Sequence, residues 1–137
     1  MLKLNPYLSF NGEARAAFEF YAKVLRGQIV MMLTNAETPM RDQVPAAAQN
    51  RIAHTRLVIG DQMLMASDAP GDMKVETRGT MVSLVVDTVE EAERIYKELG
   101  EGGQVTMPMA ETFWARRFGM FNDKFGIPWM VNCEKPM

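Results

Sequence analysis

The sequence predicts an α/β (α+β) protein built from two copies of a βαβββ module. Residues 7–10 (YLSF) precede a segment with one apolar helical face, and residues 83–86 (SLVV) precede a second such segment. Tyr21 of the first segment aligns with Tyr96 of the second. A repeat this long in a short chain indicates two copies of one supersecondary unit rather than a solenoid.

The two copies are predicted to span residues 1–68 and 80–137, within a single domain of residues 1–137. Residues 68–79 between them are polar and contain proline and glycine, as is typical of a linker. We expect each helix to cover one face of its sheet. The opposite faces of the two curved sheets are then expected to enclose a cleft, and we expect the functional site to lie in this cleft.

The first module begins with a predicted strand at 3–10, and Pro6 favours a place near the strand start because it has no amide hydrogen. A helix follows, and Gly27 is expected to end it in a left-handed conformation. Gly60 and Asp61 have the composition of a two-residue hairpin turn. The apolar face of the helix consists of Ala14, Ala17, Phe18, Tyr21, Val24 and Leu25. The other predicted strands are 28–33, 51–59 and 62–67.

The second module repeats this order. Thr88 and Glu91 form a capping-box pattern that predicts a helix start. Val89, Ala92, Ile95, Tyr96 and Leu99 then recur at helical spacing. The predicted strands are 80–87, 104–107, 112–121 and 127–134.

Composition excludes several functional classes. The net charge is −2 without a basic run, so a nucleic-acid partner is not expected. The longest apolar stretches have only strand length, so no membrane span is expected. Cys133 is the single cysteine, which excludes an intrachain disulfide and favours a cytoplasmic setting. The 13 methionines suit irregular cores or adaptable apolar binding surfaces.

Five segments together resemble one known family. They are YLSFNG at 7–12, the helix around 17–21, the strand and turn at 54–61, LMASD at 64–68, and ETFWARRFGMFNDKFGIPWMVN at 111–132. This set resembles the PhnB-like branch of the vicinal oxygen chelate superfamily, which includes glyoxalase I, bleomycin-resistance proteins and extradiol dioxygenases. The resemblance implies the glyoxalase/bleomycin-resistance fold and a homodimer. Members of this branch have carried a demethylubiquinone methyltransferase label, but no glycine-rich strand-to-helix turn is present to hold a nucleotide-like cofactor.

Metal-dependent relatives place His and Glu ligands on the first and last strand of each module. Here the resemblance puts the matching positions near Asn5, Met65, Met81 and Met130. Thioethers and amides are poor ligands for the divalent ions that His and Glu hold, although three thioethers would suit copper(I). The chain has one histidine, so we expect neither a metal site nor a cofactor.

The candidate catalytic residue is His54, which would act as a general base or hold an anionic ligand. Alternatively, His54 has only a structural role and forms a hydrogen bond to one backbone or carboxylate group. Asn5 and Asn132 would orient a polar ligand group. Pocket walls are expected from Trp114, Phe118 and Trp129, together with Met65, Met81 and Met130.

Three functions compete on this basis. The first is a metal-independent protein that binds a small apolar or aromatic molecule. The second is an enzyme of the lyase, isomerase or dioxygenase type with an atypical site around His54, so the sequence leaves open whether the protein is an enzyme. The third is a subunit that only dimerises, which predicts no sizeable cavity.

Overall fold

A computed structural model describes residues 1–70 and 74–136. The chain divides into two compact units, Met1–Val75 and Glu76–Met137. The first contains β1 (Tyr7–Phe10), α1 (Ala14–Leu25), β2 (Gln28–Thr34), β3 (Ile52–Ile59) and β4 (Gln62–Asp68). The second contains β5 (Val82–Val85), α2 (Val89–Leu99), β6 (Gln104–Ala110), β7 (Ala115–Asn122) and β8 (Pro128–Glu134).

The two sheets have the same topology. Their strand orders are β1-β4-β3-β2 and β5-β8-β7-β6. In each sheet the first and last strands of the module pair in parallel, with Tyr7 opposite Met65 in one and Ser83 opposite Met130 in the other, and the remaining pairs are antiparallel. This equivalence confirms the repeated βαβββ module.

One face of each sheet is covered by its helix. Helix α1 packs on β2, β3 and β4, and α2 packs on β7 and β8. The helices bury the small and apolar positions that the sequence periodicity indicated, which are Ala14, Ala17, Phe18, Tyr21 and Val24 in α1 and Ala92, Ile95 and Leu99 in α2. The other sheet face, which we call the helix-free face, is mostly half-buried or exposed in each unit.

The end of α1 corrects one prediction. Arg26, not Gly27, adopts the left-handed conformation, with φ of 56°. Gly27 is needed for a different reason, because a Cβ atom there would lie 2.7 Å from the carbonyl oxygen of Val58. The glycine therefore allows the chain leaving the helix to pass close to β3.

Two aspartates fix connections by accepting several backbone hydrogen bonds. Asp68 accepts from the amides of Gly12 (2.9 Å), Ala14 (3.0 Å) and Ile52 (2.8 Å) at the end of β4. Asp123 has the same role in the turn between β7 and β8. Its carboxylate accepts from the Phe125 amide (2.8 Å), the Ile127 amide (3.0 Å) and the Trp129 indole N–H (2.8 Å).

Some strand limits differ from the predicted ones. Strand β1 starts only after Pro6, and β7 starts at Ala115 because the Thr112 hydroxyl accepts hydrogen bonds from the amides of Trp114 and Ala115 in a local turn. Between β2 and β3 the chain forms three short 3₁₀ helices, Asn35–Glu37, Pro39–Gln43 and Ala46–Ala48. Residues 71–73 of the predicted linker lie outside the described residues. None of the helices among the described residues is long and apolar enough to cross a membrane.

Candidate functional site

The helix-free face of the first unit carries a row of side chains that runs across all four strands. Tyr7 on β1 lies opposite Met65 on β4, Met65 lies opposite Arg56 on β3, and Arg56 lies opposite Met31 on β2. Residues opposite each other in register project from the same face of a sheet. The row therefore brings the predicted Met65 beside an arginine that the sequence reasoning did not single out.

His54 stands two positions before Arg56 on the same strand and face. The Nε–H of Arg56 donates a 2.9 Å hydrogen bond to Nε2 of His54. Nδ1 of His54 lies 3.0 Å from the hydroxyl oxygen of Tyr7, and the two rings stack with centroids 5.6 Å apart at an angle of 23°. Three side chains from β1 and β3 thus form one hydrogen-bonded chain.

The chain of hydrogen bonds fixes the tautomer of His54. The guanidinium group only donates, so Nε2 must be the unprotonated acceptor, and in the neutral ring Nδ1 carries the hydrogen. Nδ1–H then donates to the Tyr7 oxygen, which leaves the Tyr7 hydroxyl hydrogen free for another acceptor. Partial burial, followed by the positive charge of Arg56, lowers the pKa of His54 below its usual value of 6.5, so the neutral form is favoured at neutral pH.

This arrangement limits what His54 can do. A general base must offer a free lone pair to the proton it removes. The only lone pair of neutral His54 accepts the hydrogen bond from Arg56, so base catalysis would require Arg56 to move away. Two groups of the Tyr7–His54–Arg56 chain can donate to a bound molecule. They are the Tyr7 hydroxyl, on a residue that is 48% exposed, and the terminal amino groups of Arg56, of which only the Nε–H is used by His54.

Beside the hydrogen-bonded chain of Tyr7, His54 and Arg56 lies an open depression of about 510 Å³ within the first unit. Asn5 and Met65, which were predicted to lie together, both line it, and Arg56 forms part of its wall. Met63 adds a second thioether. The depression also carries the charged side chains of Lys3 and Asp61. It combines apolar surface with a few polar groups, which is the usual composition of a small-molecule site.

The helix-free face of the second unit carries the equivalent row. Ser83 on β5 lies opposite Met130 on β8, Met130 lies opposite Met120 on β7, and Met120 lies opposite Met107 on β6. The predicted Met81 precedes β5 directly. This row contains three thioethers and a hydroxyl, and no charge.

Phe118 and Asn132 occupy the next paired positions on this face. The Phe118 ring packs edge-on against Trp114, with centroids 5.2 Å apart, so these two predicted pocket residues do lie together. The side-chain oxygen of Asn132 is buried and has no hydrogen-bond partner among the described residues. A buried acceptor without a donor is costly, and a bound molecule with an N–H or O–H group would satisfy it.

Trp129 corrects the prediction that it forms a pocket wall. It is fully buried, and it lies opposite Phe121, whose ring packs edge-on against Tyr96 of α2 at 5.7 Å. Trp129 therefore belongs to the core under the helix, where its indole N–H donates to Asp123. Strand alternation places it on the face opposite to Met130 and Asn132.

The chain matches the family model described as 3-demethylubiquinone-9 3-methyltransferase over residues 2–132. The chain belongs to this family. Its match to the protein YjdN of Escherichia coli strain K12 is 34% identical over 142 residues, covering 98% of this chain and 97% of YjdN.

Solved structures share the fold of this chain. Protein PA1353 from Pseudomonas aeruginosa has 45% identity and a TM-score of 0.91, with 99% of this chain and 100% of that chain covered. A putative 3-demethylubiquinone-9 3-methyltransferase, PhnB protein, from Bacillus cereus has 21% identity and a TM-score of 0.78, with 96% and 99% covered. A glyoxylase/bleomycin resistance protein/dioxygenase domain from Frankia sp. EAN1pec shares the fold, with 13% identity, a TM-score of 0.64, and 98% and 97% covered. The fold is therefore that of the glyoxalase/bleomycin-resistance proteins, as the sequence motifs indicated.

The residues present do not fit the metal that the sequence resemblance implies. The matching positions hold an amide and thioethers, which are not the donors that divalent ions of this kind select. The Nε2 lone pair of the single histidine accepts from Arg56 instead. Within residues 1–70 and 74–136, no three His, Cys, Asp or Glu side chains are grouped as metal ligands. Metal independence remains a prediction.

Proposed function

We propose that this family member binds a small apolar or aromatic molecule without a metal ion. The observation that carries the proposal is the depression of the first unit, where Met63 and Met65 lie beside Arg56 and Asn5. Thioether side chains adapt their shape to apolar ligands, and the neighbouring polar groups would set the orientation. The volume of about 510 Å³ is in the range of small-molecule sites.

Metal independence rests on the state of His54. Both of its ring nitrogens are engaged by protein partners, and partial burial together with the Arg56 charge favours its neutral form. A ring held in this way orients its neighbours rather than binding an ion. Methyl transfer, the activity in the family description, is not part of the proposal. The sequence contains no glycine-rich strand-to-helix turn of the kind that holds a nucleotide-like cofactor.

The alternative is an enzyme of the lyase, isomerase or dioxygenase type centred on His54. The Tyr7–His54–Arg56 chain is the observation that favours it, because a tyrosine hydroxyl held by a histidine is a possible proton donor. Turnover by this route requires a substrate proton acceptor at the Tyr7 hydroxyl. The Tyr7→Phe variant would then lose turnover while still binding the substrate.

The binding proposal is tested by methionine methyl NMR with benzyl alcohol and indole as probes. We expect the Met63 and Met65 methyl signals to shift saturably, while Met40, an exposed methionine in the 3₁₀ segment Pro39–Gln43, serves as the control. Shifts confined to Met40 would exclude the depression as the site. Elemental analysis after growth with added iron, zinc, manganese and nickel tests the metal, and stoichiometric metal in the purified protein would refute metal independence.

The homodimer implied by the family resemblance is part of the proposal as well. Analytical ultracentrifugation of the full chain gives the mass directly. A monomer at concentrations at which the probes bind would show that dimerisation is not needed for binding.

A further inference from the structure

We propose that Arg56 binds the carboxylate of an anionic ligand whose apolar body rests on Met63 and Met65. This inference rests on the proposed function and names the chemical class of its ligand.

Arg56 is a half-buried arginine whose charge is not balanced by the protein. Its Nε–H donates to the neutral His54, and no carboxylate forms an ion pair with it within the described residues 1–70 and 74–136. Two other partly buried arginines, Arg94 and Arg117, each contact a glutamate at 2.6 Å. The two terminal amino groups of Arg56 therefore still have their donors available for an acceptor outside the protein.

The guanidinium group is held in one orientation before any ligand arrives. His54 accepts its Nε–H, and the stacking and hydrogen bond with Tyr7 hold the imidazole ring in turn. His54 and Tyr7 are thus positioning residues. A planar guanidinium fixed at Nε presents its remaining N–H groups as a fork, which matches the two oxygens of a carboxylate. Less side-chain freedom is then lost on binding.

The depression supplies the rest of the recognition. Arg56 lies in its wall with the thioethers of Met63 and Met65, so a carboxylate at Arg56 places an attached apolar body against these side chains. Lys3 and Asp61 carry opposite charges in the same lining, and the Asp61 carboxylate already accepts a 2.9 Å hydrogen bond from the side-chain amide of Gln62. With Arg56, the charged side chains of the lining sum to a net charge of +1, which favours an anion.

The test compares benzoate, benzyl alcohol and inorganic phosphate by NMR of the methionine methyls and of the Arg56 Nε–H. We expect benzoate to bind at least about tenfold more tightly than benzyl alcohol, and Arg56→Gln to remove this difference. Arg116→Gln is the matched control, because Arg116 is an exposed strand arginine of the second unit, and it should leave benzoate affinity unchanged. Arg56→Lys keeps the charge without the fork and should retain part of the preference.

A second pair of variants tests the positioning role. His54→Gln keeps a side-chain acceptor for Arg56 and should retain benzoate preference, whereas His54→Phe should reduce it severalfold while benzyl alcohol binding stays the same. Equal affinities for benzoate and benzyl alcohol in the native protein would overturn the carboxylate assignment and leave the proposed function standing. If neither probe shifts Met63 and Met65, the proposed function itself fails. Phosphate binding as tight as that of benzoate would contradict the role of the apolar body.

Discussion

The helix-free faces of the two units differ in chemistry although their sheets have the same strand order. On the third strand of the sheet order, His54 and Arg56 in the first unit occupy the positions of Phe118 and Met120 in the second. One unit thus holds a charged, hydrogen-bonded chain where the other holds an aromatic ring and a thioether. The comparison shows that one strand order carries two kinds of helix-free face, with charged and hydrogen-bonded groups in the first unit and uncharged side chains at the equivalent positions of the second.

The largest loss of stability is expected at the aspartates that accept several backbone hydrogen bonds. The two units differ here, because Asp123 of the second unit is buried whereas Asp68 of the first is half-buried. Asp123 is 3% exposed and accepts from two backbone amides and the Trp129 indole. Asp123→Ala leaves these buried donors unsatisfied and should lower the free energy of unfolding by about 3–5 kcal/mol. Asp68→Ala, in a half-buried position, should cost less. Urea unfolding measures both, and a loss for Asp123→Ala smaller than that for Asp68→Ala would reverse the expected order.

The second-largest loss of stability is expected when the charge of the first unit is placed at the equivalent position of the second. Met120→Arg places a guanidinium between Met107 and Met130, with no histidine at the preceding position of that face to accept its Nε–H. We expect a loss of about 1–3 kcal/mol in the free energy of unfolding. The reverse exchange, Arg56→Met, should change stability by less than about 1 kcal/mol because it removes an uncompensated charge. Equal losses for the two exchanges would show that the faces are not specialised.

The fold could be predicted from the sequence because local patterns and the repeat agree. The bounds of α1 and α2 follow from apolar spacing and from the Thr88 cap, whose hydroxyl accepts from the Glu91 amide at 3.1 Å. The end of α1 could not be predicted in detail. A left-handed residue is usually glycine, whereas here close packing against β3 requires the glycine one position later, at Gly27.

The site was predictable only in part, since its residues meet through strand register. His54 and Arg56 are two residues apart on a predicted strand, so alternation alone would have revealed that they share a face. Their link to Tyr7 depends on the parallel pairing of β1 with β4, which no local pattern shows. The prediction for Trp129 is wrong because it places Trp129 and its neighbour Met130 in the same pocket, whereas adjacent residues of β8 project from opposite faces.

A smaller effect is expected at Asn132, whose buried side-chain oxygen has no donor among the described residues. The equivalent position in the first unit is Ser67, which is paired to β1 in the same way. Asn132→Leu has similar volume and removes the unsatisfied acceptor, so it should raise the free energy of unfolding by about 1 kcal/mol. A Ser67→Ala variant is the control and should have little effect. Thermal and urea unfolding would decide, and destabilisation by Asn132→Leu would show that this oxygen has a donor in solution.

The smallest effect distinguishes the two units by their response to pH. The pKa of His54 is lowered in the folded protein, first by partial burial and then by the positive charge of Arg56, while Tyr7 contacts the other edge of the ring. As pH falls below about 6.5, the unfolded chain takes up a proton at this histidine before the folded chain does, so stability decreases until pH passes below the folded pKa. Phe118, at the equivalent position, cannot titrate. Urea unfolding between about pH 8 and 5.5 should therefore show a decline that the His54→Phe variant lacks, and the same decline in both proteins would assign it to other groups.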